Sequence, residues 1–315
     1  MKALVYQGDG KCGLEDRPVP KIQEPSDAIV KGVGIVDEAG SGLTRFKKGD
    51  RVLINCISSC ATCKYCRRGM PSHCVNAGWI LGHTVDGTQA EYVRIPFADS
   101  GLHHVPKGVD EKALVMLSDI FPTGLEVGVQ NGKVQPGSTV AIVGSGPVGL
   151  AALMTAKLYS PSLLIMIDRD PSRLKVAKRL GADLTINSAE TNPLEFVMKH
   201  TDDTGCDTVM EAVGVPETLE MAQDLVAPGG TIANIGVHGK SCSLKIEKLW
   251  VQNISLTTGL VDTVTTPMLL KLFAAGGIDP GQLITHDFSF KDMEQAYTTF
   301  KAAAQHDALK MLITM

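Results

Sequence analysis

The stretch "TVAIVGSGPVGLAALMTAKLY" at Thr139–Tyr159 decides the fold of this chain. Its β-branched start, Thr139–Val143, predicts a buried strand, and the apolar run Val148–Tyr159 predicts a helix. The loop between them has the spacing G-x-G-x-x-G, with its glycines at Gly144, Gly146 and Gly149. Glycines here permit a tight turn, close approach of a pyrophosphate and close packing of the helix, whose N-terminus attracts phosphate. The stretch therefore predicts a dinucleotide-binding site.

The next predicted strand, "LLIMID" at 163–168, ends in an acidic residue that bears on the choice of cofactor. Asp168 lies nineteen residues after Gly149, and its carboxylate would accept hydrogen bonds from ribose hydroxyls and repel a 2′-phosphate. NAD is therefore favoured over NADP. Arg169 follows directly and can serve NADP, although a solvated arginine that begins the next helix is the simpler interpretation. The further residues that we assign to the cofactor site are Pro147, Val148, Arg169, Val213, Gly236 and Val237.

Strands and helices alternate from about Pro122 onward. The predicted strands are Thr139–Val143, Leu163–Ile167, Leu184–Ile186, Thr208–Glu211, Thr231–Ile235 and Ile254–Thr257. The predicted helices include Val148–Tyr159, Arg173–Leu180 and Thr218–Val226. Such alternation indicates parallel strands joined by crossover helices, hence an α/β fold with a doubly wound parallel sheet.

The two ends of the chain have a different character. Residues 1–115 carry β-branched runs broken by Gly and Pro, such as Arg51–Ile54 and Gln89–Ile95, which predict a β-rich barrel or sandwich. After Thr285 come an amphipathic helix around Met293–Phe300 and a last strand, Leu309–Ile313. We therefore assign residues 1–121 with 284–315 to a β-rich domain, and residues 122–283 to an inserted nucleotide-binding domain.

The segment "CATCKYCRRGMPSHC" predicts a metal site. Its spacing is C-x₂-C-x₂-C-x₇-C, formed by Cys60, Cys63, Cys66 and Cys74. Four thiolates can close a tetrahedral shell with no open position, which is typical of structural zinc. An iron–sulfur cluster is the alternative, but ferredoxin runs continue with a short spacer, a fourth Cys and Pro. The other cysteines are interpreted as packing residues: Cys12, Cys56, Cys206 and Cys242.

Composition excludes several classes of protein. The 315 residues are 44% hydrophobic and 20% charged, with a formal net charge of −4, as in ordinary globular proteins. Neither a dense basic block nor an apolar run of about 20 residues is found, so we expect no nucleic-acid or membrane partner. The start "MKALVYQGDG" lacks the apolar core of a signal peptide, and crowded cysteines suit a reducing compartment. We therefore expect a cytoplasmic protein.

Taken together, these motifs resemble the zinc-containing medium-chain alcohol dehydrogenases, in their bacterial, NAD-preferring branch. The similar segments are "GVGIVDEAG…FKKGDRV", the four-cysteine lobe, "DGTQAEYV", "LSDIFPTG", "VAIVGSGPVGL" and "APGGTIANIGVHG". The resemblance implies a GroES-like β-rich domain, a Rossmann NAD-binding domain, and hydride transfer between an alcohol or aldehyde and NAD. It also implies a homodimer or homotetramer, assembled through the outer strand of the cofactor sheet around Ile254–Leu260.

The resemblance further implies a catalytic zinc, whose ligands come from a Cys-Gly-Thr-Asp segment, a Gly-His-Glu segment and a Cys or Asp near the cofactor domain. Asp119 in "LSDIFPTG" is similar to the third ligand, and Thr123 matches the position that contacts the nicotinamide amide. The first two segments have no counterpart, because the "DAIV" strand runs into "GVGIVD" and the catalytic-zinc segment is missing between Val30 and Gly32. We therefore expect impaired alcohol oxidation.

Two substitutes and three functional interpretations remain open. Cys12 precedes a glycine and His83 follows one, as in the absent motifs, but we interpret both as packing or surface residues. The chain is an impaired zinc-type NAD-dependent alcohol dehydrogenase, a zinc-independent reductase of quinones or enones, or a non-enzymatic NAD-binding protein. Retention of Asp119 argues against the zinc-independent reductase, which has no use for that carboxylate.

Overall fold

The computed structural model describes residues 1–31 and 34–315. The described chain forms two compact units, one of Met1–Asp119 with Asp262–Met315 and the other of Ile120–Val261. The predicted domain seams at 121/122 and 283/284 differ from these limits. Residues 262–283 lie with the first unit, since their helix Thr266–Ala274 packs on the short helix Val115–Ser118. None of the helices in the described ranges has the length and apolar character needed to cross a membrane.

The strands and helices of the described residues are as follows. The strands are β1 (Lys2–Gly8), β2 (Lys11–Asp16), β3 (Ala28–Lys31), β4 (Ile35–Ala39), β5 (Val52–Ile54), β6 (Tyr92–Ile95), β7 (Leu102–His104), β8 (Thr139–Val143), β9 (Leu163–Asp168), β10 (Leu184–Asn187), β11 (Cys206–Glu211), β12 (Val226–Asn234), β13 (Ser255–Thr258), β14 (Ile284–Ser289) and β15 (Lys310–Thr314). The α-helices are α1 (Ala98–Gly101), α2 (Glu111–Leu114), α3 (Ile120–Thr123), α4 (Pro147–Ala156), α5 (Pro171–Leu180), α6 (Pro193–His200), α7 (Pro216–Leu225), α8 (Ile246–Leu249), α9 (Thr266–Ala274) and α10 (Met293–Lys301). A π-helix spans Gly124–Gln130, and 3₁₀ turns span Cys66–Arg68, Pro71–His73, Val115–Ser118, Lys157–Tyr159, Trp250–Gln252, Pro280–Leu283, Phe290–Asp292 and Ala303–Gln305.

The second unit contains the predicted doubly wound sheet. Its six strands are all parallel and lie in the order β10-β9-β8-β11-β12-β13, which confirms the Rossmann prediction. Residue Val143 pairs with Ile167 on one side and with Glu211 on the other, so the carboxyl ends of β8, β9 and β11 meet at one edge of the sheet. This edge is where such folds bind nucleotides.

Helix α4 explains why the sequence after the glycine loop is apolar all round. Every residue of α4 from Gly149 to Ala156 is buried. The helix packs on β8 and also on α3 and the π-helix Gly124–Gln130, so it has no face in solvent. A helix with apolar residues on all sides is the pattern expected for such a position.

The first unit is β-rich, as predicted. Small sheets β4-β3-β6, β1-β2 and β5-β7 come from the N-terminal part, and β14 pairs with β15 from the C-terminal part. Alternate side chains of β3, β5 and β6 enter one core with Phe46, and the core residues include Ala28, Val30, Val36, Val52, Val93, Ile95 and Leu102. The C-terminal segment Asp262–Met315 belongs to this unit.

Strands β3 and β4 flank the predicted deletion and pair directly with each other. Val30 lies opposite Val36 and Lys31 opposite Ile35, and the Gly34 N–H donates to the Lys31 carbonyl at 3.3 Å. Gly34 has φ +109°, and a Cβ there would overlap the Val52 carbonyl oxygen, so the position requires glycine. Gly32 and Val33 lie outside the described residues, and the predicted break between Val30 and Gly32 therefore falls partly outside them.

Candidate cofactor and metal sites

The glycine loop has the geometry of a phosphate cradle. Gly144 leaves β8 with φ +105°, and Gly146 is the N-cap of α4. A Cβ at Gly149 would overlap the Gly144 carbonyl oxygen, whereas a Cβ at Gly146 would meet nothing within 4 Å. Thus Gly149 allows the helix to press on the loop, and Gly146 leaves open space in front of the helix N-terminus. A buried hydroxyl of Ser145 has no hydrogen-bond partner there. The cradle fits a pyrophosphate.

Asp168 anchors this loop to the end of β9. Its Oδ2 accepts from the Ser145 N–H at 2.5 Å, and its Oδ1 accepts from the N–H groups of Arg169 at 2.7 Å and Asp170 at 2.9 Å. A carboxylate offers about four acceptor positions, so one remains for a ribose hydroxyl. Arg169 is exposed at the start of the turn to α5. The hydrogen bond from the Ser145 N–H to Asp168 depends on the pairing of β8 with β9 and has no signal in the local sequence.

Glu211 is a buried acid that the sequence analysis did not single out. It ends β11 and is 0% exposed. Its Oε1 accepts from the N–H groups of Val213 and Gly214, both at 2.8 Å, and from the Thr218 hydroxyl at 2.7 Å. The carboxylate therefore holds the turn between β11 and α7. Its position at the carboxyl end of the predicted parallel strand Thr208–Glu211 is the sequence feature that could have indicated a role for Glu211.

The turns after β11 and β12 are in close backbone contact. A Cβ on Gly236 would overlap the Gly214 nitrogen and the Glu211 Oε2, so only glycine fits between them. Val213 is 46% exposed and Val237 is 92% exposed, and both follow strands whose carboxyl ends form the nucleotide edge. Large apolar side chains this exposed fit a surface that a cofactor covers.

Asp119 belongs to the first unit and Thr123 to the second. Asp119 is exposed at the end of the 3₁₀ turn Val115–Ser118 in the first unit. Burial lowers the pKa of the Lys310 ammonium, and the Asp119 carboxylate opposes part of that shift. Thr123 ends α3 in the second unit, where a Cβ on the next residue, Gly124, would lie 2.6 Å from the Ala152 nitrogen. Close packing against α4 therefore fixes Thr123.

The four cysteines of the lobe converge as the spacing predicts. The Sγ atoms of Cys60, Cys63, Cys66 and Cys74 all lie within 4.8 Å of one another, and all four are free thiols. Cys63 and Cys66 are 3.5 Å apart at sulfur. A zinc tetrahedron with bonds of about 2.3 Å has sulfur–sulfur edges of about 3.8 Å. The donor set therefore fits one zinc ion with no open coordination position.

The thiols of the lobe differ in pKa, and this difference is consistent with a bound cation. A hydrogen bond from the Thr62 hydroxyl, 3.5 Å from Sγ, lowers the pKa of Cys60 to about 5. Burial, followed by the neighbouring Cys63 and Cys74, raises the pKa of Cys66 to about 12. Four sulfurs this close cannot all ionise without a positive partner, because like charges repel strongly at such distances. A divalent ion removes this conflict.

Among the residues that the structure describes, the lobe is the single group of three or more His, Cys, Asp or Glu side chains with converging donor atoms. Neither Gly32 nor Val33 carries a metal-binding side chain. Cys12 lies on β2 opposite Tyr6, and exposed His83 stacks on Trp79 with a centroid distance of 5.0 Å. The residues described here therefore do not fit a catalytic zinc, and neither substitute joins Asp119 in a metal-binding group.

A Rossmann sheet with a phosphate cradle, together with a β-rich unit that carries a four-cysteine lobe, defines the class of zinc-containing dehydrogenases. The profile described as "Alcohol dehydrogenase GroES-like domain" matches residues 6–107, and that described as "Zinc-binding dehydrogenase" matches residues 147–274. This chain belongs to the zinc-containing medium-chain alcohol dehydrogenase family and is an oxidoreductase by family.

Individual relatives agree with this assignment. The chain is 30% identical over 361 residues to an alcohol dehydrogenase of Cupriavidus necator, which covers 98% of this chain and 97% of the relative. It is 33% identical over 281 residues to the NADP-dependent isopropanol dehydrogenase of Thermoanaerobacter brockii, covering 86% of this chain and 79% of the relative. The apo structure of zinc-dependent alcohol dehydrogenase 2 from Streptococcus pneumonia gives a TM-score of 0.95 at 43% identity, over 100% of this chain and 98% of that one.

The alignment with the Cupriavidus relative also shows that this chain is short. It runs over 361 positions, whereas the chain has 315 residues, so at least 46 of those positions have no counterpart here. A difference of this size is compatible with the predicted loss of one segment of a few dozen residues.

Proposed function

We propose that this chain binds NAD and a structural zinc, and that its interconversion of alcohols and aldehydes is severely weakened because the catalytic zinc lacks its ligand set. One observation carries the proposal: in the described ranges 1–31 and 34–315, only the cysteine lobe brings three or more metal ligands together. Zinc content and the turnover of an alcohol, an aldehyde and an enone test it.

The glycine loop, Asp168 and Thr123 would hold the cofactor in this proposal. The glycine loop at the N-terminus of α4 would bind the pyrophosphate, Asp168 would accept from the ribose hydroxyls, and Thr123 would bind the nicotinamide amide. Pro147, Val148, Arg169, Val213, Gly236 and Val237 complete the cofactor pocket. When bound there, the nicotinamide would supply the hydride acceptor for oxidation of an alcohol.

Asp119 is the residual ligand of the catalytic site in this proposal. A zinc ion with a full ligand set would polarise the alcohol oxygen and favour the alkoxide from which hydride leaves. Asp119 alone supplies one carboxylate, and this carboxylate also interacts electrostatically with the Lys310 ammonium. Three protein ligands are usual for catalytic zinc, so Asp119 does not replace the set.

Replacing Asp168 tests the cofactor assignment. We expect Asp168→Asn to weaken NADH binding about 10- to 100-fold, because the amide would present a donor to the Ser145 N–H and lose the ribose acceptor. The preference for NADH over NADPH should fall, since repulsion of the 2′-phosphate is removed. Calorimetric titration with both nucleotides measures the effect.

Asp207 offers a matched control for that substitution. It lies near the start of β11, at the opposite edge of the sheet, and its Oδ2 accepts from the Thr139 N–H at 2.8 Å. Asp207→Asn makes the same charge change and should leave both affinities within about twofold. A parent chain that prefers NADPH would instead assign Arg169 to the 2′-phosphate.

The two other interpretations have their own outcomes. Metal-independent hydride transfer to a quinone or enone would make the chain a zinc-independent reductase, and Asp119 would then have no catalytic use. Binding of NAD with no turnover of an alcohol, aldehyde or enone would leave a non-enzymatic NAD-binding protein. The absence of a second metal-binding group in the described residues favours both over a fully active alcohol dehydrogenase.

The outer edge of the nucleotide sheet supports the expected dimer or tetramer. Strand β13 is the last strand of that sheet and pairs with β12 alone. Exposed apolar side chains lie on this strand and in the segments just before and after it: Leu244, Ile246, Trp250, Val251, Leu256 and Leu260. An unpaired edge flanked by apolar side chains is a site where a second copy of the chain can add its own edge.

Trp250, 73% exposed, is the residue to change. We expect Trp250→Glu to raise the dissociation constant of the oligomer at least about 30-fold, since buried tryptophans contribute about 2 kcal/mol or more at interfaces. Sedimentation velocity over a range of concentrations measures it. Trp79→Glu, at the other tryptophan of the chain and 54% exposed, is the matched control and should leave the assembly unchanged. A Trp250→Glu chain that assembles like the parent would place the interface elsewhere.

We place the protein in the cytoplasm. All eight cysteines are free thiols in the structure, and four of them converge as a metal-binding group. Reduced, metal-ligating cysteines are typical of a reducing compartment, whereas secreted proteins use theirs in disulfides. Small alcohols or aldehydes are its proposed partners.

A further inference from the structure

Cys242 and His238 are in contact in the loop that follows β12. The Cys242 Sγ lies 2.9 Å from the His238 Nδ1. The other ring nitrogen, Nε2, lies 2.8 Å from the Asn234 Oδ1 and 3.2 Å from the Glu211 Oε2. As expected from the sequence, Cys242 packs against the core of the nucleotide-binding unit, and the turn "HGKSC" also brings its thiol to the imidazole of His238.

The hydrogen bonds determine which ring nitrogen can accept a proton. The Asn234 side-chain N–H donates to the Gly236 carbonyl at 2.9 Å, so the amide oxygen Oδ1 faces the imidazole. Both that oxygen and the Glu211 carboxylate only accept, and the His238 Nε2 must therefore carry a hydrogen. In the neutral ring the Nδ1 then has the free lone pair, which points to the thiol of Cys242.

Glu211 supplies the charge that a thiolate–imidazolium pair needs. The carboxylate is fully buried, and its Oε1 is occupied by Val213, Gly214 and Thr218. The Oε2 has no hydrogen bond in the structure, and the His238 Nε2 at 3.2 Å is its charged neighbour once the ring is protonated. A buried carboxylate that orients and stabilises a histidine beside a nucleophile is the arrangement of Cys- and Ser-dependent catalytic triads.

We propose that Cys242 is a nucleophilic thiol, activated by His238 and Glu211, that forms mixed disulfides with anionic low-molecular-weight disulfides. The proton of the thiol passes to the His238 Nδ1, and the Cys242 sulfur attacks one sulfur of the disulfide. The original S–S bond breaks as the new one forms, and the departing thiolate takes the proton from His238. The step is an exchange, so it needs no other oxidant.

Access and charge favour an anionic reagent. Cys242 is half-buried, and its neighbours Gly239, Lys240 and Ser241 are exposed. The Lys240 carbonyl oxygen lies 3.6 Å from the Cys242 Sγ, so this lysine belongs to the same turn. The ammonium of an exposed lysine two residues before the thiol attracts the carboxylates of a molecule such as glutathione disulfide.

Two other cysteines provide internal comparisons. Burial raises the pKa of the Cys206 thiol to about 12, so this residue should not react. Cys12 on β2 is half-buried like Cys242 and is a comparator of similar accessibility. The cysteines of the lobe are protected by their metal in the zinc-loaded protein.

The test follows glutathione disulfide adducts on the zinc-loaded full chain by mass spectrometry near neutral pH. We expect Cys242 to react at least tenfold faster than Cys12, and Cys242→Ser to remove the fast adduct. His238→Gln should slow Cys242 at least tenfold, while the reaction of Cys12 and the thermal unfolding temperature stay unchanged. Lys240→Glu should slow the reaction with glutathione disulfide severalfold but leave that with uncharged hydroxyethyl disulfide unchanged.

The parent protein alone can refute the proposal. A Cys242 that reacts no faster than Cys12 would overturn it, and this comparison requires no variant. Equal Cys242 rates in the parent and in a folded His238→Gln chain would overturn the role of the histidine. Equal effects of Lys240→Glu on both disulfides would overturn the preference for anionic reagents.

Discussion

Elemental analysis of the purified chain is expected to give one zinc ion per chain, and alcohol oxidation is expected to be slower by on the order of 10³-fold or more than in a relative with two. The cysteine lobe accounts for the one ion, because its four sulfurs lie within 4.8 Å of one another. A catalytic zinc contributes several kcal/mol to the charge that develops on the substrate oxygen, and each 1.36 kcal/mol changes a rate tenfold.

Restoring the missing segment provides the control. A chimera that carries a segment with the Cys-Gly-Thr-Asp and Gly-His-Glu motifs between Val30 and Gly32 should bind two zinc ions and gain alcohol oxidation. Adding Asp119→Asn to the chimera should lower the content of the second zinc and reverse the gain. Two zinc ions in the parent chain, or turnover equal to that of the chimera, would contradict the proposed impairment.

Removal of the lobe zinc should have the largest effect on stability. We expect Cys66→Ser to lose the zinc ion and to lower the unfolding temperature by about 8–16 °C. The reason is that loss of a structural metal costs about 4 kcal/mol, and 1 kcal/mol shifts the unfolding temperature by about 2–4 °C in a protein of this size. Zinc analysis and scanning calorimetry on the same preparation measure both effects.

Cys12 again supplies the matched control. Cys12→Ser changes a half-buried thiol outside the lobe and should keep the zinc and an unfolding temperature within about 2 °C of the parent. Limited proteolysis should cut residues 60–74 in Cys66→Ser alone, since the ligands no longer hold that segment together. A Cys66→Ser chain that keeps its zinc would exclude this thiol as a ligand. Iron in place of zinc would support the iron–sulfur alternative.

The parts that the sequence predicted well depend on short-range patterns. The strand Thr139–Val143, the helix after it and the glycine loop follow from residue type and spacing over about twenty positions, and the structure has them at almost the same limits. The convergence of Cys60, Cys63, Cys66 and Cys74 follows from spacing in the same way. Helix α7 shows the usual error, because Val226 was predicted to be helical and instead begins β12.

The parts that the sequence could not predict join residues far apart in the chain. Residues 262–283 lie with the first unit because α9 packs on the turn Val115–Ser118, a contact that no local pattern encodes. The Asp168 carboxylate accepts a hydrogen bond from the Ser145 N–H because β8 and β9 are neighbours in the sheet. In each case the partner is selected by packing or strand order and leaves no signal in the spacing of residues.

By itself, the sequence therefore determined the two fold types, the glycine loop and the convergence of the cysteine lobe, and it predicts an incomplete set of catalytic-zinc ligands. Only the tertiary structure decided that Glu211, His238 and Cys242 form one cluster. Glu211 ends β11 and His238 follows β12, so 27 positions separate them, and the parallel register of the two strands brings them within 3.2 Å. Periodicity and spacing record local conformation, whereas such a cluster exists only once neighbouring strands have paired.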